Sequence, residues 1–404
     1  MAAVPVPKSA LVCLDAKFLP SWFEEISAQF FGAVVASTAD LSHITVCNPV
    51  FLAGDVEASL PLVLAFVSKD VVFCVEDASV NRPAGWSAFV SRGQLPRAVP
   101  GIGVFYPSYF GWSRQYRGRD FFSEFSAHHV ASILTESNKV STSYRRGVYI
   151  TRVSPVEDGS EFRLLRCSTN FSSPTENCRP VDDDIIEAVN TIARHNYDGA
   201  AEFNHVLAQV YTNSTVGGKD KKARIPDHSD KTKDMPRDAL MAFVSFYQFD
   251  PAVKYNWNGD DVLYGDTSAL TCLVWKEKGG AGRRVSVTLS PGSVLLVDMD
   301  TNRLWTHEIR PSMLPVAKLP TRLGYVVRCS KTMAVHTADG RTCIVSADGS
   351  GVEMRAPTRE DMAELKAQYA RENATPEVIT YTSATHGDIV PYSMNAGDYM
   401  RPIS

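Results

Sequence analysis

Short apolar runs of strand length dominate the chain from about residue 203 onward. They read FNHVLAQVY, ALMAFVSFY, SALTCLVW, RRVSVTLS, GSVLLVD and RLGYVVRC, with Gly, Pro, Asp and Asn between them. Short runs of this kind, separated by turn-forming residues, are typical of all-β sandwiches, barrels and jelly rolls. Periodicity alone does not distinguish these three architectures.

The first 195 residues mix two periodicities. Strand-like runs (LVLAFV, GVYITRV, EFRLLRCS) alternate with amphipathic helical runs (PSWFEEISAQFFGAVV, RDFFSEFSAHHVASILTES, DDDIIEAVNTIARHNY). The last helical run begins with three aspartates and carries Arg194 near its end, the charge order that the helix dipole favours. Beyond residue 336 the chain is polar, and it predicts one helix at TREDMAELKAQYAREN, opened by a Thr358 and Asp361 capping box.

We therefore expect an α+β chain dominated by β structure, organised in three parts. Residues 1–195 form a large α/β extension, residues 196–335 form the β core, and residues 336–404 form a segment with one helix and a polar tail. Of the 404 residues, 44% are hydrophobic and 21% are charged, the balance of a folded globular protein.

The compartment of the protein is predicted from its apolar runs, its N-terminus and its cysteines. The apolar stretch LPLVLAFVSKDVVFCV is interrupted by Lys69 and Asp70, so no run is long enough to span a bilayer. The N-terminus lacks the pattern of a secretory signal, which predicts a cytoplasmic or nuclear protein. The eight cysteines are scattered without a CxxC pair, which favours reduced thiols over a disulfide framework or a zinc ribbon.

The formal net charge of −4 gives no overall basic field that would attract nucleic acid. Basic residues nevertheless cluster with aromatic ones in SRQYRGRDFF, TSYRRGVYITR and GGKDKKAR. Such clusters hold phosphates and stack on bases in nucleic-acid-binding proteins, and they are equally common as solvated surface faces.

The stretch IPDHSDKTKDMP contains candidate metal ligands. His228 and Asp230 are two residues apart, and on a strand such residues point to the same face. The spacing alone is weak evidence, because about one such pair is expected by chance among nine histidines and 45 acidic residues. A two-histidine-one-carboxylate ferrous site needs a third ligand from a distant strand, and His307, in NRLWTHEIRP, is available for it. The alternative is a set of incidental histidines at turns and strand ends.

The segment RLGYVVRCS predicts a site for an acidic ligand. Arg322 and Arg328 are six residues apart and share one strand face, while Leu323, Tyr325 and Val327 take the other face. Arginines in an apolar strand are costly unless they pair with anions, and the planar guanidinium suits a carboxylate.

In order and spacing, these segments resemble the AlkB-type iron(II)/2-oxoglutarate dioxygenases over roughly residues 200–332, and relatives of the TET and J-binding-protein kind are compatible. The resemblance implies a double-stranded β-helix, or jelly roll. It also implies Fe(2+) held by His228, Asp230 and His307, with O2 as oxidant and 2-oxoglutarate as co-substrate.

The resemblance further implies how 2-oxoglutarate is held. Arg322 would pair with the far carboxylate, Tyr211 would hydrogen-bond it, and Arg328 would lie near the metal-bound carboxylate. The chain departs from the family pattern at Gln209, where asparagine is usual, and at Gly324, where asparagine or serine is usual. These departures predict altered contacts to the co-substrate.

The implied activity is hydroxylation or oxidative demethylation at a C–H bond, with a modified nucleobase in DNA or RNA as the expected substrate. Alternatives are a hydroxylase of a protein or small molecule, and a non-catalytic jelly-roll binding module. A zinc site would leave the paired arginines unexplained. Residues 1–195 are expected to recognise the substrate. The candidate substrate contacts are Lys219, Lys221, Lys222, Arg224, Trp112 and Arg117.

Overall fold

A computed structural model describes the chain from residue 94 to 404, except for residues 114, 135–143, 168–171, 253–269, 281, 347 and 384–386. Before residue 94 it describes only the short segments 4–5, 10–13, 28–35, 50–53, 71–74 and 89–90. The described protein is dominated by β structure, arranged mainly in antiparallel sheets.

The strands follow one another along the chain in three groups. The first group is β1 (Val4–Pro5), β2 (Ala10–Cys13), β3 (Ala33–Val35), β4 (Val50–Ala53), β5 (Val71–Cys74), β6 (Phe89–Val90), β7 (Arg97–Val99), β8 (Gly103–Tyr106), β9 (Ser132–Ile133), β10 (Arg145–Thr151), β11 (Val153–Val156), β12 (Gly159–Leu164), β13 (Glu176–Asn177) and β14 (Tyr197–Asp198). The second is β15 (His205–Tyr211), β16 (Ser214–Val216), β17 (Lys219–Lys221), β18 (Ile225–His228), β19 (Leu240–Gln248), β20 (Cys272–Glu277), β21 (Arg284–Thr288), β22 (Ser293–Asp298), β23 (Trp305–Arg310) and β24 (Thr321–Arg328). The third is β25 (Thr332–Thr337), β26 (Thr342–Val345) and β27 (Gly351–Glu353).

The helices lie between these strands and in the C-terminal segment. They are α1 (Tyr109–Trp112), α2 (Phe121–His128), α3 (Pro180–Asn196), α4 (Met299–Leu304) and α5 (Arg359–Ala374), with 3-10 turns at Val316–Lys318 and Ala396–Tyr399.

Eight strands form two facing sheets at the centre of the described chain. One sheet contains the order β15-β24-β19-β22, and the other has the order β18-β23-β20-β21. Every neighbouring pair in both runs is antiparallel, and the chain passes repeatedly from one sheet to the other. This arrangement is compatible with a jelly-roll core.

Aromatic side chains fill the space between the two sheets. Phe243 on β19 meets Trp275 on β20 edge to face, with ring centroids 5.8 Å apart, and Trp275 is fully buried. On the other face of β24, Leu323, Tyr325 and Val327 are also fully buried, as their alternation along the strand predicts.

The large sheet continues into the N-terminal part of the chain. Strand β10 pairs with β15 at one side, and β8 pairs with β22 at the other side, followed by β7. The expected boundary at residue 195 therefore crosses a continuous sheet. Five strands from before residue 195 belong to this large sheet, namely β7, β8, β9, β10 and β13. Their pairing covers the edges that β15 and β22 would otherwise expose.

Two predicted helices occur where the sequence places them. Helix α3 covers the run that begins with three aspartates, and α5 covers the C-terminal run with its Thr358 and Asp361 capping box formed. Two other helical predictions need correction. The run at 119–137 is helical only over Phe121–His128 and then extends into β9, and residues 33–35 form β3, which pairs in parallel with β2. Residues 20–27 and the run LVLAFV lie outside the described residues.

His129 explains why α2 ends early. Its backbone is extended, and its ring is held between two carboxylates, with Nδ1 2.7 Å from Glu176 and Nε2 2.8 Å from Asp182. Burial opposes the charged ring, but these two hydrogen bonds outweigh it and raise the pKa of His129 to about 9. A protonated histidine thus ties the end of α2 to the start of α3 and to β13.

Cys167, Cys178, Cys272, Cys329 and Cys343 are free thiols. In the part of the chain that the structure describes, no helix combines the length and apolarity needed to cross a membrane.

Candidate metal and co-substrate site

The two candidate histidine ligands are placed opposite each other by strand pairing. His228 ends β18 and pairs with His307 in the middle of β23, and their ring centroids lie 4.4 Å apart. Asp230 lies just beyond the end of β18, in a loop rather than on the strand as expected. Asn302 fixes that loop, since its amide accepts from the Asp230 backbone N–H at 2.8 Å and donates to the Asp230 carbonyl at 2.9 Å.

The three side chains converge on one point. Asp230 Oδ1 lies 3.6 Å from His228 Nε2 and 4.0 Å from His307 Nε2, and one ligand atom from each residue falls within 4.8 Å of the other two. His228 Nδ1 is 2.9 Å from the Pro226 carbonyl and 3.1 Å from the His307 carbonyl. Donation from Nδ1 leaves the Nε2 lone pair for a metal, the arrangement that outer hydrogen bonds impose on histidine ligands.

The protonation states also fit a cation site. Burial by itself would raise the pKa of Asp230, but Arg328 and the two histidines hold it well below its usual range. Burial, together with His228, lowers the pKa of His307 to about 3. The pocket therefore contains an ionised carboxylate and a neutral imidazole, the forms that donate lone pairs to a divalent metal.

The C-terminal helix supports the loop that carries Asp230. The side-chain carbonyl of Asn373, near the end of α5, accepts from the Ser229 N–H at 2.9 Å and from Lys231 Nζ at 2.5 Å. Ser229 Oγ also donates to the Trp305 carbonyl at 3.1 Å. The ligand loop is thus held by the C-terminal segment on one side and by β23 on the other.

The triad lines a cavity of about 260 Å³ between the two sheets. Arg145, Gln209, Tyr211 and Arg322 line the same cavity. Arg145, Tyr211 and Arg322 are in register on the adjacent strands β10, β15 and β24. The cavity therefore joins the candidate metal ligands to a row of polar side chains on the large sheet.

Arg322 is the main candidate anion-binding group in this cavity. Ser245 Oγ accepts from its Nε at 3.2 Å and from its Nη2 at 3.0 Å, and its guanidinium lies 4.5 Å from the centre of the Tyr211 ring. The side chain is buried, Nη1 has no hydrogen-bond partner, and no carboxylate pairs with it among the described residues. A buried guanidinium held in this way is poised to bind an external anion.

Gly324 makes room for that guanidinium. A Cβ at this position would lie 2.8 Å from Arg322 Nη2 and 3.1 Å from Cζ. A larger side chain would displace the guanidinium from Ser245 and Tyr211. Glycine at position 324 therefore leaves the space that the Arg322 guanidinium occupies beside Ser245 and Tyr211.

Gln209 and Arg328 contact other protein groups. Arg145 Nη1 donates to Gln209 Oε1 at 3.0 Å, which orients the Gln209 amide because a guanidinium can only donate. Arg328 Nη1 lies 3.4 Å from Asp230 Oδ2, so this arginine belongs to the surroundings of the triad. Sequence reasoning missed Arg145 as a cavity residue, although it lies in the basic cluster TSYRRGVYITR.

The candidate substrate cations lie away from the cavity lining. Lys219 and Lys221 are exposed on the β16-β17 hairpin, and Arg224 is exposed just after it. Lys222 is half-buried and donates to the Ser312 carbonyl at 3.0 Å. None of these four residues lines the cavity that contains the triad.

Trp112 and Arg117 also lie outside the cavity. Trp112 is 3% exposed, and its ring packs edge to face against Phe51 at 5.7 Å and Tyr109 at 5.0 Å. Its place in the hydrophobic core corrects the expectation that it stacks on a substrate. Arg117 is exposed in the turn after α1.

Comparison with known proteins shows weak similarity to solved structures and no match by sequence. No protein-family model and no curated protein matches the sequence. Among solved structures, the chain is similar to a prolyl-4-hydroxylase from Pseudomonas putida, with 11% sequence identity and a TM-score of 0.28, over 51% of this chain and 82% of that one. A similarity this weak carries no conclusion about activity, and membership of the AlkB type stays a prediction.

Proposed function

We propose that the protein is an iron(II)- and 2-oxoglutarate-dependent dioxygenase, an oxidoreductase built on a double-stranded β-helix. One observation carries the proposal: the His228, Asp230 and His307 triad lines the same cavity as the buried Arg322 guanidinium. A cation site and an anion site within one small cavity suit a metal-chelating dicarboxylate.

The donor set fits ferrous iron. Two imidazole nitrogens and one carboxylate oxygen are the ligands of the facial triad of non-haem iron oxygenases, which leaves other positions open. Asp230 Oδ2 faces Arg328, whereas Oδ1 faces Nε2 of both histidines, so Oδ1 is the carboxylate oxygen placed to bind a cation. Bound iron would supply the activation of dioxygen, and the protein's part is to hold the metal in the cavity between the two sheets.

The large sheet would hold 2-oxoglutarate. The keto-acid end of 2-oxoglutarate would bind at the triad. Its far carboxylate would pair with Arg322, which Ser245 and Tyr211 orient. Gln209, oriented by Arg145, offers its amide N–H groups to the same ligand. Arg328 offsets the charge of Asp230 and favours an anion beside the metal.

The proposal extends to hydroxylation of a substrate C–H bond, and a modified nucleobase remains our prediction for that substrate. The exposed Lys219 and Lys221 support it only as a basic surface near β18, because they do not line the cavity. A non-catalytic binding module would bind 2-oxoglutarate without consuming it.

Succinate formation tests the proposal. Purified protein with Fe(II), ascorbate, oxygen and 2-oxoglutarate should release succinate, and Asp230→Ala should abolish the release while circular dichroism shows a folded protein. Lys221→Met, which changes an exposed cation of the hairpin, is the matched control and should behave like the wild type. Equal succinate release by Asp230→Ala, or none from the iron-loaded wild type, would overturn the assignment.

A further inference from the structure

A lysine at the end of strand β20 joins the C-terminal ends of two helices. Lys278 Nζ donates to the Arg303 carbonyl at 2.9 Å and to the Asn302 carbonyl at 3.3 Å, both in the last turn of α4. The same nitrogen donates to the Glu372 carbonyl in the last turn of α5, at 2.6 Å. The Thr375 carbonyl, just beyond α5, lies 3.5 Å away and is the weakest of the four contacts.

These carbonyls need a donor from outside their helices. The last carbonyls of a helix have no N–H partner within it, and a cation there also suits the helix dipole. An ammonium has three hydrogens, so Lys278 can satisfy carbonyls of both helices at once. Its backbone N–H also donates to the Leu304 carbonyl at 2.9 Å, which fixes the start of the side chain against the end of α4.

The end of α4 carries one support of the metal loop. Asn302, whose own carbonyl binds the Lys278 ammonium, accepts from the Asp230 N–H and donates to the Asp230 carbonyl through its side chain. Asn302 is 1% exposed, so its amide has little freedom to move away from Asp230. The position of the α4 end therefore sets the position of the Asp230 backbone.

The end of α5 carries the other support. The side-chain oxygen of Asn373 accepts from the Ser229 N–H at 2.9 Å and from Lys231 Nζ at 2.5 Å, so it holds the residues on both sides of Asp230. Glu372 Oε1 accepts from the Thr232 N–H at 3.1 Å, while the Glu372 carbonyl binds Lys278. The loop is thus held from two helix ends that meet at a single ammonium.

Lys278 itself is not part of the metal cavity, because it does not line it. Any influence on the metal must therefore pass through the two helix ends. The helix ends also have a second connection, since Arg303 Nη1 donates to the Pro376 carbonyl at 2.6 Å. That connection should keep α4 and α5 together when the Lys278 ammonium is removed.

We propose that Lys278 is a positioning residue of the metal centre, which sets the ends of α4 and α5 so that Asn302 and Asn373 hold the Asp230 loop from two sides. The inference rests on the proposed metal site, and it extends that site to the C-terminal segment. A ligand loop that is already held in place need not be ordered by the metal, so these contacts raise metal affinity.

Cobalt(II) titration of matched variants tests this role. Lys278→Met keeps the apolar stem and removes the three donors, so it should weaken cobalt(II) binding about tenfold, the lower end of what loss of an outer hydrogen-bond partner costs. Lys366→Met, which changes an exposed lysine of α5, is the control and should bind like the wild type. Lys278→Arg keeps the charge and the donors and should restore most of the affinity.

A double-mutant cycle separates positioning from general destabilisation. If Lys278 acts through the helix ends, Lys278→Met should cost clearly less affinity in an Asn302→Ala background than in the wild type, because one route to Asp230 is already broken. Tm measured in parallel shows whether each variant is folded. The same loss of affinity in both backgrounds would show that Lys278 acts independently of Asn302, and it would overturn the proposal.

The outcomes also distinguish this inference from the proposed function. A wild type that binds no cobalt(II) would remove the metal site and this inference with it. A wild type that binds, together with full affinity in a folded Lys278→Met, would overturn this inference alone. If Lys278→Met does not fold, Lys278→Gln takes its place, since its shorter side chain reaches fewer of the carbonyls, and full affinity in that variant would have the same meaning.

Discussion

Replacing Arg322 with Met tests the anion-binding half of the proposed site. The change removes a buried guanidinium that has an unpaired nitrogen and is oriented by Ser245 and Tyr211. A hydrogen bond to a charged group contributes about 1.5–3 kcal/mol, so the apparent KM for 2-oxoglutarate should rise about 10- to 150-fold. The affinity for the metal should hardly change, because Arg322 does not contact the triad.

The stability of this variant should change little. The two hydrogen bonds to Ser245 are lost, at about 0.5–1.5 kcal/mol each, while the desolvation cost of an unpaired guanidinium is removed as well. The assay is succinate release over a range of 2-oxoglutarate concentrations, with Lys221→Met as a surface control and Tm measured in parallel. An unchanged KM in a folded variant would refute the assigned role of Arg322.

The remaining predictions concern stability, metal affinity and nucleic acid. Because the pKa of His129 is raised to about 9, its stabilising contribution is full below about pH 6.5 and is lost as the pH rises through 9. The free energy of unfolding, measured in urea, should therefore fall more between pH 6.5 and 9 for the wild type than for His129→Gln. An equal fall in both proteins would contradict a charged His129 between its two carboxylates. Asn302→Ala removes both hydrogen bonds to the backbone of Asp230 and should weaken metal binding about tenfold. An unchanged affinity in a metal titration would contradict this prediction. If the substrate is nucleic acid, affinity should fall steeply with salt and should drop when Lys219 and Lys221 are both changed to Met, whereas a flat salt response would favour a small molecule or a peptide.

The sequence anticipated the parts of the site that depend on strand periodicity. An even separation placed Arg322 and Arg328 on one face of β24, and the structure has both lining the cavity. The proximity of His228 and His307 follows from one strand pair, β18 with β23, which the order of the strands makes possible. Their role as metal ligands stays a prediction.

The sequence could not anticipate contacts between parts of the chain that are distant in sequence. Arg145 reaches the cavity because β10 pairs with β15 in the core sheet. The local sequence of β10 does not predict which strand it pairs with. Asn302 and Asn373 hold the loop through single side chains on α4 and α5, and isolated asparagines carry no sequence signal. The basic neighbours of Trp112 predict a substrate surface, but hydrophobic burial places its ring in the core.

Titration with cobalt(II), followed by its visible absorption bands, tests the central claim most directly. The claim is that His228, Asp230 and His307 bind one metal ion. The wild type should bind one equivalent, and alanine at any of the three positions should weaken binding by more than about 100-fold, beyond the effect of losing an outer hydrogen-bond partner. Full affinity in a folded His307→Ala variant would contradict the account.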